Sequence, residues 1–175
     1  MIIDLFLILL LIALLCATAF WTYLLVYMLW YKVPLISTAK NVTFKALELA
    51  EIKPNQQVLD LGCGWSPFLF AAAKKEPQTH YTGYDVLTPV LWINRWRAKN
   101  NITFVRGDFF KADLSEADVI YCYLWDTIMA DFYIQKWPSL KKGVRVISYD
   151  FPLKKLKPVK TVNFGKSTLY LYVKN

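Results

Sequence analysis

The apolar and polar positions divide the chain into two regimes. Residues 5–30 contain no charged side chain. At ~1.5 Å per residue they would make about 39 Å of helix, more than the ~30 Å hydrocarbon core of a bilayer. The run is predicted to span a membrane, its surplus length taken up by tilt or by an end lying in the interface. Beyond residue 31, short apolar runs alternate with helical periods and with turns containing Gly, Pro and Asn. Strands are predicted near residues 58–60, 80–85, 102–106, 117–123 and 144–149, then 159–164 and 168–173 around a Gly165-Lys166 hairpin turn. Helices are predicted over about 39–51, 67–75, 88–99 and 127–136. Ser37 or Thr38 would cap the first of these and Ser66 the second, with Pro67 at its first position. Trp92 and Trp96 in the third are expected to pack on the sheet. The alternation predicts an α/β fold, a Rossmann-like and mostly parallel sheet with a C-terminal antiparallel hairpin, preceded by one transmembrane helix.

The chemistry gathers at the first strand and turn, Val58-Leu59-Asp60-Leu61-Gly62-Cys63-Gly64-Trp65-Ser66-Pro67. Gly62 and Gly64 permit a tight turn and close approach of a ligand. Asp60 places a carboxylate beside that turn, which disfavours a pyrophosphate and favours an ammonium. The second strand ends in Asp85, suited to paired ribose hydroxyls. The third ends in Gly107-Asp108-Phe109, suited to an adenine amino group and ring. Acids after three successive strands fit S-adenosylmethionine better than NAD. A nicotinamide dehydrogenase is disfavoured further because the turn lacks Gly-x-Gly-x-x-Gly.

Composition sharpens the picture in three places. The net charge is +8, from 21 Lys and Arg against 13 Asp and Glu. The basic residues are mostly dispersed lysines, so anionic lipid is the first expected partner and no nucleic acid is expected. No basic residue precedes the apolar run, whereas Lys32, Lys40, Lys45 and Lys53 follow it, which predicts a C-terminal domain on the cytoplasmic or mitochondrial matrix side. Phe20, Trp21, Tyr23, Tyr27, Trp30 and Tyr31 form a one-sided aromatic belt. A cleaved signal peptide would want a basic start and a shorter run; Asp4 and the length argue against it, although Ala17-Thr18-Ala19 keeps a cleavage reading open. Cys16 follows Leu15, where a lipoprotein site needs a small residue. The three cysteines lack metal spacing and imply neither zinc nor disulfides.

The glycine turn and its three acids resemble the class I S-adenosylmethionine-dependent methyltransferases. A narrower resemblance rests on the apolar span, the Val33-Pro34 segment leading to Thr38, the Tyr123-Leu124-Trp125 step, Ser148-Tyr149-Asp150-Phe151-Pro152-Leu153 and Leu169-Tyr170-Leu171-Tyr172. Together these resemble the membrane-anchored lysine N-methyltransferases of the ATP synthase c-subunit and the adenine nucleotide translocase, with their prokaryotic relatives. That family tends to read Leu-Gly-Ser-Gly-Asp-Gly-Arg at the turn, whereas Trp65, Ser66 and Pro67 stand here in place of Asp-Gly-Arg.

The resemblance implies an anchor over residues 1–31 and a methyltransferase domain over 32–175. It implies a lysine of a membrane protein as acceptor. For the cofactor it implies Thr38, Asp60, Gly62, Cys63, Gly64 and Asp85, with Val86, Asp108, Phe109 and Tyr121. Tyr123 and Trp125 are expected to bound the acceptor pocket, and Asp126 or Asp150 to orient the amine. Asp126 has a plain helix-capping reading beside that one, and the tyrosines a sheet-packing reading. A lipid or small-molecule acceptor, and a cofactor-binding module silenced by Trp65, stay open as alternatives.

Overall fold

A computed structural model describes residues 2–31 and 36–175, with side chains for residues 4–26 and 36–175. The chain divides into two compact units, Met1–Ile36 and Ser37–Asn175. The expected division after Tyr31 meets residues 32–35, which lie outside the described residues, as do Lys32, the Val33-Pro34 segment and the side chains of Tyr27, Trp30 and Tyr31.

The first unit is helix α1, Ile2–Tyr31. Within it Asp4–Val26, 23 residues, is long and apolar enough to cross a membrane. Most of its described side chains are exposed, among them Leu5, Phe6, Leu9, Leu15 and Trp21. A helix apolar all round, with no polar face to turn to water, suits lipid as its surroundings.

The second unit is one seven-stranded sheet in the order β3-β2-β1-β4-β5-β7-β6. Its strands are β1 Gln57–Leu61, β2 His80–Asp85, β3 Ile102–Arg106, β4 Val119–Cys122, β5 Arg145–Tyr149, β6 Lys160–Phe164 and β7 Ser167–Val173. Neighbouring pairs from β3 to β5 are parallel, and β7 runs antiparallel to both β5 and β6. The helices are α2 Lys40–Ala50, α3 Pro67–Lys75, α4 Thr88–Arg97 and α5 Asp126–Gln135. Because side chains alternate along a strand, the central strands feed two cores. Val58, Tyr81, Val119, Tyr121 and Ile147 pack with α2, α3 and α4. Leu59, Leu61, Ile120, Cys122 and Val146 pack with Met129 and Phe132 of α5. Arg145 ties α2 to the sheet by donating from Nε and Nη2 to the Leu49 carbonyl at 3.1 and 2.7 Å.

Two expected caps are not formed. Ala39 precedes α2 without a side-chain cap, and the Thr38 hydroxyl is held instead by Tyr121. Ser66 precedes α3 in the left-handed conformation, φ 54°, without capping it. Trp92 and Trp96 do not pack on the sheet: they are 66% and 88% exposed, because Val90, Leu91 and Asn94 occupy the buried face of α4.

Gly83 lies between Asp60 and Phe104 in the register. A Cβ there would come within 2.9 Å of Cys63 Sγ and of the Phe104 ring. Gly83→Ala is therefore expected to destabilise the domain by ~1–3 kcal/mol. The check is a lower denaturant midpoint with an unchanged slope.

Candidate active site

The carboxyl ends of β1 and β4 flank the turn into α3, where the strand order reverses and open α/β sheets form their ligand crevice. Gly62 and Gly64 both have positive φ, 71° and 46°. The turn is drawn onto β2: the Gly62 and Cys63 amides both donate to the Tyr84 carbonyl at 2.9 Å. The Gly64 amide donates to Asp85 Oδ2 at 2.8 Å, and the Ser66 amide to the Cys63 carbonyl at 2.6 Å. These four amides are thus already used and do not form the phosphate cradle of a dinucleotide site.

Asn94 completes the hold on the turn. Its Nδ2 donates to the Gly64 carbonyl at 2.6 Å, so Gly64 is gripped at its amide by Asp85 and at its carbonyl by Asn94. Asn94 is fully buried and its Oδ1 has no hydrogen-bond partner among the described residues. Sequence reasoning missed it. The available signal was a polar residue on the same helical face as Val90 and Leu91.

Beneath the turn, Asp60 is 3% exposed and pairs in register with Gly83 on one side and Tyr121 on the other. Its carboxyl is pushed up to about 8, first by burial and then by the nearby charge of Asp85. The Ser66 hydroxyl donates to it at 3.4 Å, a long bond that offsets only part of this. Ser66 occupies the position where the resembled family reads glycine, and it keeps the left-handed backbone that glycine would supply. That conformation costs a non-glycine residue ~1–2 kcal/mol. The corner brings two acids within electrostatic reach of each other, a set that fits the cationic ammonium and sulfonium of S-adenosylmethionine and disfavours a pyrophosphate.

The other expected residues fall into three groups. Tyr121 is buried, stacks on Phe68 with ring centroids 4.4 Å apart, and shares a hydrogen bond with Thr38 Oγ1 at 2.9 Å. Burial raises its phenol well above the ordinary value. Asp85 Oδ1 accepts from the Leu87 amide at 2.8 Å, and Val86 beside it is 37% exposed. Asp108 is exposed and caps the following turn, accepting from the Phe110 amide at 2.9 Å. Phe109 is buried in the α5-side core, which turns the ring expected to face adenine into packing.

On the acceptor side, Tyr123 lies 4.4 Å from Tyr149 and 6.1 Å from Phe151, and Trp125 lies 5.3 Å from Phe151, between ring centroids. Tyr149 and Phe151 complete a wall of which the sequence singled out only Tyr123 and Trp125. Leu124 between them reaches the turn: a Cβ on Gly62 would come within 2.7 Å of its Cδ2. Burial raises the Tyr123 phenol, as does the nearby Asp150 charge. Asp126 is the first residue of α5 rather than its cap, and pairs with Lys154 at 2.7 Å. Asp150 is turned toward β7, where Oδ1 accepts from the Thr168 amide at 2.8 Å and Oδ2 from the Ser167 hydroxyl at 3.2 Å. Both Asp150 oxygens are thus engaged by β7, whereas Asp126 makes only a solvent-exposed ion pair.

The family described as the ANTKMT methyltransferase domain matches residues 60–160, from the acid under the turn to the start of β6. A protein-lysine N-methyltransferase of Saccharolobus islandicus is 27% identical over 150 residues, covering 81% of this chain and 93% of its own. An RNA methyltransferase of Salinibacter ruber, solved with S-adenosyl-L-homocysteine, superposes with a TM-score of 0.75 at 28% identity, covering 79% of this chain and 93% of its own. A methyltransferase of Geobacter sulfurreducens, also solved with S-adenosyl-L-homocysteine, shares the fold at 22% identity and a TM-score of 0.56, over 63% and 48% of the two chains.

Two outcomes are expected of the corner. An acid raised from 3.8 to about 8 binds its proton more tightly folded than unfolded. Its contribution to stability is therefore full below about pH 4, falls as pH rises, and is lost by about pH 8. Melting curves across that window should show Asp60→Asn losing much of the wild-type fall. Asn94→Leu would leave the buried Gly64 carbonyl unsatisfied, at ~1–3 kcal/mol. Calorimetry should show S-adenosylmethionine binding weakened even below the melting transition, since the turn loses one of its two holders.

Proposed function

This chain belongs to the ANTKMT methyltransferase family, and from that premise we propose that its acceptor is a lysine of a membrane protein, reached from an anchor formed by α1. It is an S-adenosylmethionine-dependent methyltransferase. The observation that carries the lysine reading is the wall of Tyr123, Tyr149, Phe151 and Trp125 beside the glycine turn. The similar protein from Saccharolobus islandicus, a protein-lysine N-methyltransferase, supports it. The anchor reading is supported by the 23 apolar residues of Asp4–Val26 and by the lysines that follow them. The same lysines support the cytoplasmic or matrix side for the domain.

The cofactor, when bound, supplies a methyl group on a positively charged sulfonium. The chain's residues have four tasks toward it and the acceptor. Asp60 and Asp85 supply negative charge for the cationic end. Each Asp85 oxygen holds one backbone amide, and a carboxylate has lone pairs left for ribose hydroxyls. The aromatic wall strips water from an incoming lysine, which favours the neutral amine over the ammonium. Tyr123, kept protonated by burial and the Asp150 charge, offers its oxygen to an amine N–H without adding charge. The remaining requirement is alignment of the lone pair with the methyl carbon.

Transfer to RNA is a second reading, favoured by the net charge of +8 and by the likeness to an RNA methyltransferase. The test is full-length protein in vesicles with radiolabelled S-adenosylmethionine, offered membrane protein, RNA and lipid. Label recovered as methyl-lysine is expected. Label in RNA or lipid and none in protein overturns the lysine reading. Asp85→Ala should weaken cofactor binding at least about tenfold, since each bond to the charged group is worth ~1.5–3 kcal/mol. Tyr123→Leu should spare cofactor affinity and lower the rate of transfer.

A further inference from the structure

Helix α4 carries the most exposed large aromatic surface outside α1. Trp96 is 88% exposed, Trp92 66% and Ile93 37%. The two tryptophans are four residues apart, on one face of the helix. The opposite face is committed: Val90, Leu91 and Asn94 are fully buried, and Asn94 holds the glycine turn. The stretch between Asp85 and Asp108 contains no acidic residue and carries Arg95, Arg97, Lys99 and Arg106, all exposed. Arg95 is steadied by the Phe104 carbonyl, at 3.0 Å from Nε and 2.8 Å from Nη2. Arg97 lies 4.5 Å over the Phe70 ring. Arg95 and Arg97, on either side of Trp96 in the chain, are thus held in place.

We propose that this face of α4 docks on the headgroup layer of an anionic bilayer, with Trp92 and Trp96 seated at the interface and Arg95, Arg97 and Lys99 over acidic headgroups. The occupant follows from the chemistry on the surface. Tryptophan, apolar with one N–H, concentrates at membrane interfaces, and clustered Lys and Arg without acids match anionic lipid. The proposal rests on the anchor reading of α1, which keeps the domain near lipid. It adds a second contact with the bilayer, made by the domain itself. Because α4 begins three residues after Asp85 and supports Gly64 from its buried face, the lipid contact and the cofactor corner share one helix.

The test uses full-length protein in phosphatidylcholine vesicles with and without phosphatidylglycerol. The readouts are hydrogen exchange of residues 88–97 and quenching of tryptophan fluorescence by brominated lipid. Exchange about tenfold slower with the anionic lipid is expected. Quenching should be greater than in the Trp92→Gln/Trp96→Gln double variant, which should bind S-adenosylmethionine as the wild type does. Alkaline extraction is run in parallel. Protein that stays embedded while α4 exchanges equally fast in both vesicles overturns the docking and leaves the anchor standing. Protein that is extracted overturns the anchor, and the docking then stands only if the extracted protein still binds the anionic vesicles. Protection that grows with protein concentration irrespective of lipid, or that arises only on adding a protein acceptor, overturns the proposal in favour of self-association or substrate docking.

Discussion

Gly64 is gripped from two directions, its amide by the Asp85 carboxylate and its carbonyl by the Asn94 side chain. Both holders belong to the β2–α4 arm, while the glycine belongs to the β1–α3 turn. The geometry of the corner therefore cannot exist before β1 and β2 have paired and α4 has packed back over the sheet. Function and fold share the same hydrogen bonds, which explains why a buried amide is tolerated with one oxygen unpartnered among the described residues. The grip also decides which ligand is welcome. Amides turned inward leave no anion nest, and two acids set against each other call for a cation.

That demand for a cation is met in two ways. A bound sulfonium and ammonium supply one from outside. In their absence Asp60 holds a proton in place of a counter-ion, with burial as the larger cause and Asp85 as the smaller. If Asp60 meets the cationic end of the cofactor, as proposed above, capture and proton release would be linked, since the charge that favours ionised Asp60 would arrive with the ligand.

The sheet was legible because its signals were local and redundant. All seven strands fall within a residue or two of the segments expected, and the Gly165-Lys166 hairpin lies between β6 and β7 as the pattern implied. Caps were less legible, because a serine or threonine before a helix has more than one customer. Ser66 faces Asp60, and Thr38 faces a tyrosine 83 positions away. The tryptophans of α4 misled for a related reason. Periodicity cannot say which face of an amphipathic helix is buried when both faces hold large apolar residues, and the choice went to Val90, Leu91 and Asn94. In the site, the residues named from the glycine turn do gather there, whereas Phe109, Asp126 and Asp150 were engaged by neighbours that only the tertiary arrangement supplies.

Cys63 sits between the two glycines of the turn and is nonetheless buried, because Gly83 leaves the space its sulfur fills. Burial, reinforced by Asp60 and Asp85, raises its thiol well above the ordinary value. Cys122, on the other face of the sheet, is raised to about 12. Thiolate is the form that peroxides and alkylating reagents attack, so neither cysteine offers them a foothold. The glycine turn thus carries sulfur at its centre in the protonated, unreactive form.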